Sequence, residues 1–231
     1  CAAAEIGLIG HSEGAMIAPL VATTHHDLAF IVMLAGTGIP GDEILLSQLR
    51  MFNSASEMTQ MEQKKVVKLY SEIYQLIKES NDLDALRKEL GSFLSSNWER
   101  FGESEQTGIA KEDFINAQLA QLCTLWMQFF LRHDPSEVLS KVNCPVLALN
   151  GEKDWQVNHQ VNLKAIESAL MQRDIENDEV RALPGFNHLF QEWKTGLVVE
   201  YAQIEQTFSP MALNAISEWV LKILLKSKPG R

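Results

Sequence analysis

The chain has 231 residues, of which 46% are hydrophobic and 22% charged. That is enough apolar material for one sizeable core with room for a subdomain. Its net charge of -10 argues against nucleic acid as a partner, because phosphate recognition needs clustered Lys and Arg, and Lys64-Lys65 is only a pair on a helix surface. Three cysteines, Cys1, Cys123 and Cys144, form no disulfide framework and lack metal-ligand spacing, and the latter two read as small buried hydrophobes. No apolar run reaches the roughly 18 residues of a membrane span. The chain opens on Cys1-Ala2-Ala3-Ala4 without Met and runs straight into a strand pattern, so its true start is expected to lie upstream. The compartment, cytoplasmic or secreted/periplasmic, therefore stays open.

In chain order, Ile6 to Ile9 reads as a strand, residues 13–24 as a helix bent at Pro19, and Ala29 to Ala35 as a second strand. A block of about a hundred residues, 41–140, then contains no strand. Within it Val66, Leu69, Tyr70, Ile73 and Ile77 recur at helical spacing, as do Leu83, Leu86, Leu90 and Leu94. A third helix is expected over residues 111–131, after a loop from Gly102 to Gly108. Val146 to Asn150 is a third strand, residues 158–172 a helix, Glu179 to Leu183 a fourth strand, and residues 210–226 a closing helix. The first three strands are near-continuously apolar, as in a parallel sheet covered on both faces. The fold class is thus α/β, with residues 1–40 and 141–231 forming a mainly parallel sheet flanked by helices and 41–140 an all-helical insertion.

Gly10-His11-Ser12-Glu13-Gly14 fits G-x-S-x-G between a strand and a helix, the context that makes the pattern a nucleophile elbow. At such a turn Ser12 stands at the apex, and Gly10 and Gly14 are read as removing Cβ atoms that would crowd the tight backbone. The helix dipole favours negative charge there, and the backbone N–H of Glu13 points where an oxyanion would form. The Glu13 side chain is covalently too close to Ser12 to orient a base.

A serine needs a base within reach and a third group to orient that base. Asp154 follows the third strand in the turn Gly151-Glu152-Lys153-Asp154, and His188 follows the fourth in Leu183-Pro184-Gly185-Phe186-Asn187-His188. Both therefore stand at the C-terminal edge of a parallel sheet, where sites in such sheets gather. Asp174 and Asp178 fall at the opposite edge, and His159 opens a helix. His25 and His26 end one, and His133 sits where the insertion returns to the sheet. His11 adjoins the nucleophile but is expected to pack under the site.

With these residues in hand, the chain resembles the α/β-hydrolase superfamily, in particular bacterial esterase-like hydrolases of the serine-aminopeptidase type that carry a helical cap. Three segments carry the resemblance in family order: 7–14, then Cys144-Pro145-Val146-Leu147-Ala148-Leu149-Asn150-Gly151-Glu152-Lys153-Asp154 with Gln156-Val157, then 183–191. It implies Ser12, Asp154 and His188 as catalytic triad, Glu13 as one oxyanion donor, and block 41–140 as a lid. Ala15 stands where this branch often has a second glycine. Trp126, Phe129 and Phe130 could line an acyl pocket, but packing as the cap's own core at helical spacing is the favoured reading, and Met51, Met58 and Met61 could form a soft wall while most of them serve packing. An apolar lid would favour a medium-chain or aromatic acyl ester.

The expected activity is ester hydrolysis on a small acyl substrate, with no metal or organic cofactor. Amide and thioester cleavage use the same residues, and a non-catalytic binding protein of this fold is the alternative from another class. The family fold has strands before the nucleophile strand, one of whose loops gives the second oxyanion N–H. The first strand here is then expected to be an open edge, to be paired by the missing N-terminal segment or by another chain. Loss of one oxyanion donor typically costs on the order of 10²–10³ in rate, so these residues alone are expected to be poorly soluble and weakly active. Titration with a fluorophosphonate should label them slowly and incompletely, whereas stoichiometric labelling of a stable monomer would contradict this.

Overall fold

The computed structural model describes residues 6–54, 56, 58–102, 108–192 and 194–226. Cys1 and most of the loop expected between Gly102 and Gly108 lie outside the described residues. The chain divides into two compact units, Cys1–Ile39 with Asp134–Arg231, and Pro40–His133.

The first unit is built on four strands, β1 (Gly7–His11), β2 (Phe30–Leu34), β3 (Val146–Gly151) and β4 (Glu179–Leu183). They pair in the order β1-β2-β3-β4, all parallel. Its helices are α1 (Glu13–Ala22), α7 (Pro135–Leu139), α8 (His159–Leu170) and α9 (Pro210–Lys226). Every residue of β2 and β3 is buried, because successive side chains on a strand point to opposite faces and both faces are covered. Ile31, Met33, Val146 and Ala148 pack with Ala15 and Ala22 of α1, Leu139 of α7 and Leu163 and Ile166 of α8. On the other face Phe30, Val32, Leu34, Leu147 and Leu149 pack with Ala212, Ile216, Trp219 and Ile223 of α9. Among the described strands β1 pairs with β2 alone, the open edge expected, but it departs from the burial expected of a strand covered on both faces, with Ile9 58% exposed. Cys144 is buried in this core, which pushes its thiol pKa up to about 11 and makes it an inert hydrophobe.

The second unit is helical: α2 (Gly41–Ser54), α3 (Gln60–Glu79), α4 (Leu83–Ser96), α5 (Lys111–Leu122) and α6 (Leu125–Arg132). The heptad-like stripes read from the sequence are its core. Leu69, Ile73 and Ile77 of α3, Leu86, Leu90 and Leu94 of α4 and Leu131 are fully buried, and the buried rings of Phe101 and Phe114 pack in the same core. α3 begins at a capping box in which Glu62 N–H donates to Thr59 Oγ1 and Thr59 N–H donates to Glu62 Oε2.

Two expectations are corrected. The helix expected over 111–131 is two helices, because Thr124 adopts an extended conformation and its Oγ1 accepts from Met127 N–H at 3.0 Å, capping a new helix. The insertion ends at His133 and not at residue 140. Asp134 caps α7 through Ser136 N–H at 2.9 Å, and the Leu139 side chain belongs to the sheet-side core.

Candidate active site

Ser12, Asp154 and His188 all lie just past the C-terminal ends of strands of the one parallel sheet: β1, β3 and β4. Ser12 is the N-cap of α1, with φ 55 and ψ -113, a left-handed-side conformation that a non-glycine residue holds only under constraint. The constraint is visible. Ser12 N–H donates to Leu34 O at 2.8 Å, extending the β1–β2 ladder, and Ala15 N–H donates to Ser12 O at 3.0 Å, starting the helix. The Ser12 side chain makes no capping bond, so its hydroxyl is left for other use.

The two glycines of the elbow differ. A Cβ on Gly10 would stand 2.0 Å from Gly14 O, so strand and helix can approach only because that atom is missing. A Cβ on Gly14 would meet nothing within 4 Å, which corrects the expectation that both glycines relieve crowding. The N–H of Glu13 belongs to the first turn of α1, where helical geometry offers no intrahelical acceptor, so it is available to an anion.

Asp154 and His188 are buried, at 2% and 3% exposure, and His188 Nδ1 lies 2.8 Å from Asp154 Oδ2. The other carboxylate oxygen, Oδ1, accepts the backbone N–H groups of Gln156 and Val157, each at 2.8 Å. A carboxylate removed from water is costly unless hydrogen-bonded, and here three donors meet it. Gly151 makes this possible, since a Cβ there would lie 2.2 Å from Phe186 O, where the turn after β3 touches the loop after β4. Among the described residues no hydrogen bond joins Ser12 Oγ to His188; such contacts are often long before substrate binds.

Several supports escaped the sequence reading. Asn187 Oδ1 accepts the N–H groups of Leu189 and Gln191 at 3.0 and 2.9 Å, and its amide donates to Gln191 Oε1, closing the His188 loop on itself. Phe186 and Phe190, both fully buried, anchor that loop from either side in the core. Tyr201 Oη accepts the backbone N–H of His188 and faces Gln156 Nε2 at 3.4 Å, tying the two loops together a second time. Burial raises the pKa of that phenol, so it stays protonated. An Asn two or three residues before a run of free N–H groups signals such a loop, but nothing local marks Tyr201.

His11 sits against the site itself. Its Nε2 donates to the carbonyl of His188 at 2.8 Å and its ring lies 4.9 Å from the His188 ring. One edge of the His11 ring is open to solvent, yet crowding by its neighbours lowers its pKa, which the bond to the His188 carbonyl only partly offsets. His11 thus braces the loop that carries His188. Trp126 and Phe129 are exposed on the helical unit, whereas Phe130 packs against that unit's own core. Among the described residues no cluster of His, Cys, Asp and Glu could hold a metal, and no helix is long and apolar enough to cross a membrane.

Residues 1–91 match the family model described as BAAT / Acyl-CoA thioester hydrolase C terminal. No curated protein matches the chain. Solved structures similar to it include a proline iminopeptidase from Mycobacterium smegmatis, with 12% identity, TM-score 0.45 and coverage of 96% of this chain and 67% of that one. Others are a carboxylesterase from Nitrososphaera gargenis (18% identity, TM-score 0.44, 96% and 66% coverage) and a thermophilic esterase from Thermogutta terrifontis (15%, 0.40, 94% and 65%). The chain thus spans about two thirds of the length of these structures.

The elbow generates a contrast. Gly10→Ala should destabilise the protein by more than about 2 kcal/mol, and Gly14→Ala should change stability by less than about 1 kcal/mol. Urea unfolding of both variants checks this; equal effects would contradict the asymmetry. With a tight strand-to-helix turn at Ser12 after the first strand, a helical insertion after the second, and Asp154 and His188 after the last two, the chain has an α/β-hydrolase-like fold.

Proposed function

We propose that the chain is a serine hydrolase that cleaves carboxylic esters of small acyl substrates through an acyl-enzyme. The observation that carries this reading is the buried 2.8 Å contact between His188 Nδ1 and Asp154 Oδ2, at the sheet edge where Ser12 presents a hydroxyl free of capping. A carboxylate oxygen can only accept, so Nδ1 carries the proton and Nε2 offers its lone pair.

The chemistry follows. Ser12 Oγ attacks the acyl carbon while its proton passes to His188 Nε2. The oxyanion of the tetrahedral intermediate takes the Glu13 N–H, and the imidazolium is stabilised by Asp154. Collapse breaks the bond to the leaving group, which takes the proton from Nε2 and departs as an alcohol. Water, deprotonated by Nε2, then releases the acid and restores Ser12.

A second reading, thioester cleavage with a thiol as leaving group, is favoured by the match of residues 1–91 to an acyl-CoA thioester hydrolase family model, a span that contains Ser12. A p-nitrophenyl acyl ester and an acyl thioester assayed on the same protein separate the two by their relative kcat/KM. In either case a fluorophosphonate should modify Ser12, however slowly, as located by peptide mass spectrometry. Ser12→Ala should abolish both the label and the turnover. Folded protein that neither labels nor turns over either substrate, or Ser12→Ala with undiminished turnover, would instead indicate a binding protein of this fold.

A further inference from the structure

The helical unit contains a cleft of about 610 Å³ between α2 and α3, a volume suited to a small organic ligand. Leu46 and Arg50 line it from α2, and Gln63, Lys64, Val67 and Lys68 line it from α3. These α3 residues follow helical spacing on a face separate from the buried stripe of Leu69, Ile73 and Ile77, whereas Leu46 of α2 packs against the unit's core at the base of the cleft. Leu46 and Val67 are half-buried and give it an apolar floor.

The charge is one-sided. Lys64 and Lys68 stand four apart on one helix, where like charges repel, and Arg50 adds a third cation. The acids nearest in sequence on α3 are engaged elsewhere. Glu62 Oε2 accepts Thr59 N–H and Oγ1–H, each at 2.7 Å, and Glu72 Oε2 accepts Arg100 Nη1 at 2.7 Å. Both carboxyls are held below their usual pKa chiefly by those bonds, with Lys68 adding a weaker attraction at Glu72. Among the described residues no ion pair forms at Arg50, Lys64 or Lys68. In a protein of net charge -10, three cations gathered at one cleft beside an apolar floor mark it as suited to an anion.

We propose that this cleft binds an amphiphilic anion, a carboxylate or phosphate head on an apolar chain, with the head at the three cations and the chain along Leu46 and Val67. The inference does not depend on the hydrolase reading. Isothermal titration of the full chain with octanoate, octyl phosphate, octanol and inorganic phosphate tests it, with circular dichroism monitoring the fold. One or both octyl anions should bind saturably and on the order of tenfold more tightly than octanol or inorganic phosphate, the advantage shrinking as salt rises. The better of the two identifies the head group.

The doubly substituted Lys64→Glu, Lys68→Glu protein should lose this binding at least about tenfold with an unchanged melting curve, the effect expected for losing charge-assisted contacts. Lys64→Gln, which adds no repulsion, should give a smaller loss in the same direction. Octanol or inorganic phosphate binding as tightly as the octyl anions, undiminished binding by the folded variants, or no saturable binding to the folded protein would each overturn the proposal.

Discussion

One buried contact organises the sheet edge of the first unit: His188 Nδ1 against Asp154 Oδ2. An imidazole and a carboxylate withdrawn from water would destabilise the fold if left unsatisfied, and the cost is met locally. Asp154 spends its remaining lone pairs on two backbone N–H groups of its own turn, Gln156 and Val157. The His188 loop is closed by the Asn187 amide and pinned by Phe186 and Phe190 in the core. His11, at the end of β1, reaches the carbonyl of His188. Three strand ends are thus drawn together by these hydrogen bonds, and the geometry of the pair follows from backbone placement more than from the two side chains alone.

The elbow supplies the other half. Placing a serine at φ 55 stores backbone strain, which persists only because the surrounding structure over-determines it. Here the ladder bond to Leu34 O holds one side, the start of α1 holds the other, and the missing Cβ of Gly10 lets the two meet. The reward of that geometry is a hydroxyl that neither caps the helix nor packs in the core. The same turn places the Glu13 N–H in the first turn of a helix, so one short segment brings a hydroxyl free of capping and an N–H without an intrahelical acceptor to the same place.

Features encoded by local pattern were legible in the sequence. The all-buried strands β2 and β3 show as unbroken apolar runs, and the core stripes of α3 and α4 show at helical spacing. The elbow shows as a five-residue pattern, and Asp154 and His188 follow strands in turn-rich segments. What was missed depends on contacts that no local window contains. His11 meets His188 across 177 positions, and its neighbourhood in sequence gives no sign of that. Tyr201 reaches His188 from a two-turn 3₁₀-helix, Val198–Gln203, too short to show a periodic pattern. The break at Thr124 was hidden because apolar spacing continues across it, so the cap outweighs the periodicity. The convergence of Arg50 with Lys64 and Lys68 is likewise a property of two helices side by side, invisible while Lys64-Lys65 is read as a pair.

The role assigned to the buried pair is tested most directly by the rate constant for fluorophosphonate acylation of Ser12 in Asp154→Asn. The substitution keeps the shape of the side chain while presenting an amide to Nδ1, so the imidazole loses its orienting acceptor. In the triads of serine proteases the corresponding change lowers turnover by roughly 10⁴, and a loss of at least two orders of magnitude with an intact fold is the expected result. An acylation rate within a few-fold of the unsubstituted protein would show that the contact is structural and that His188 does not activate Ser12.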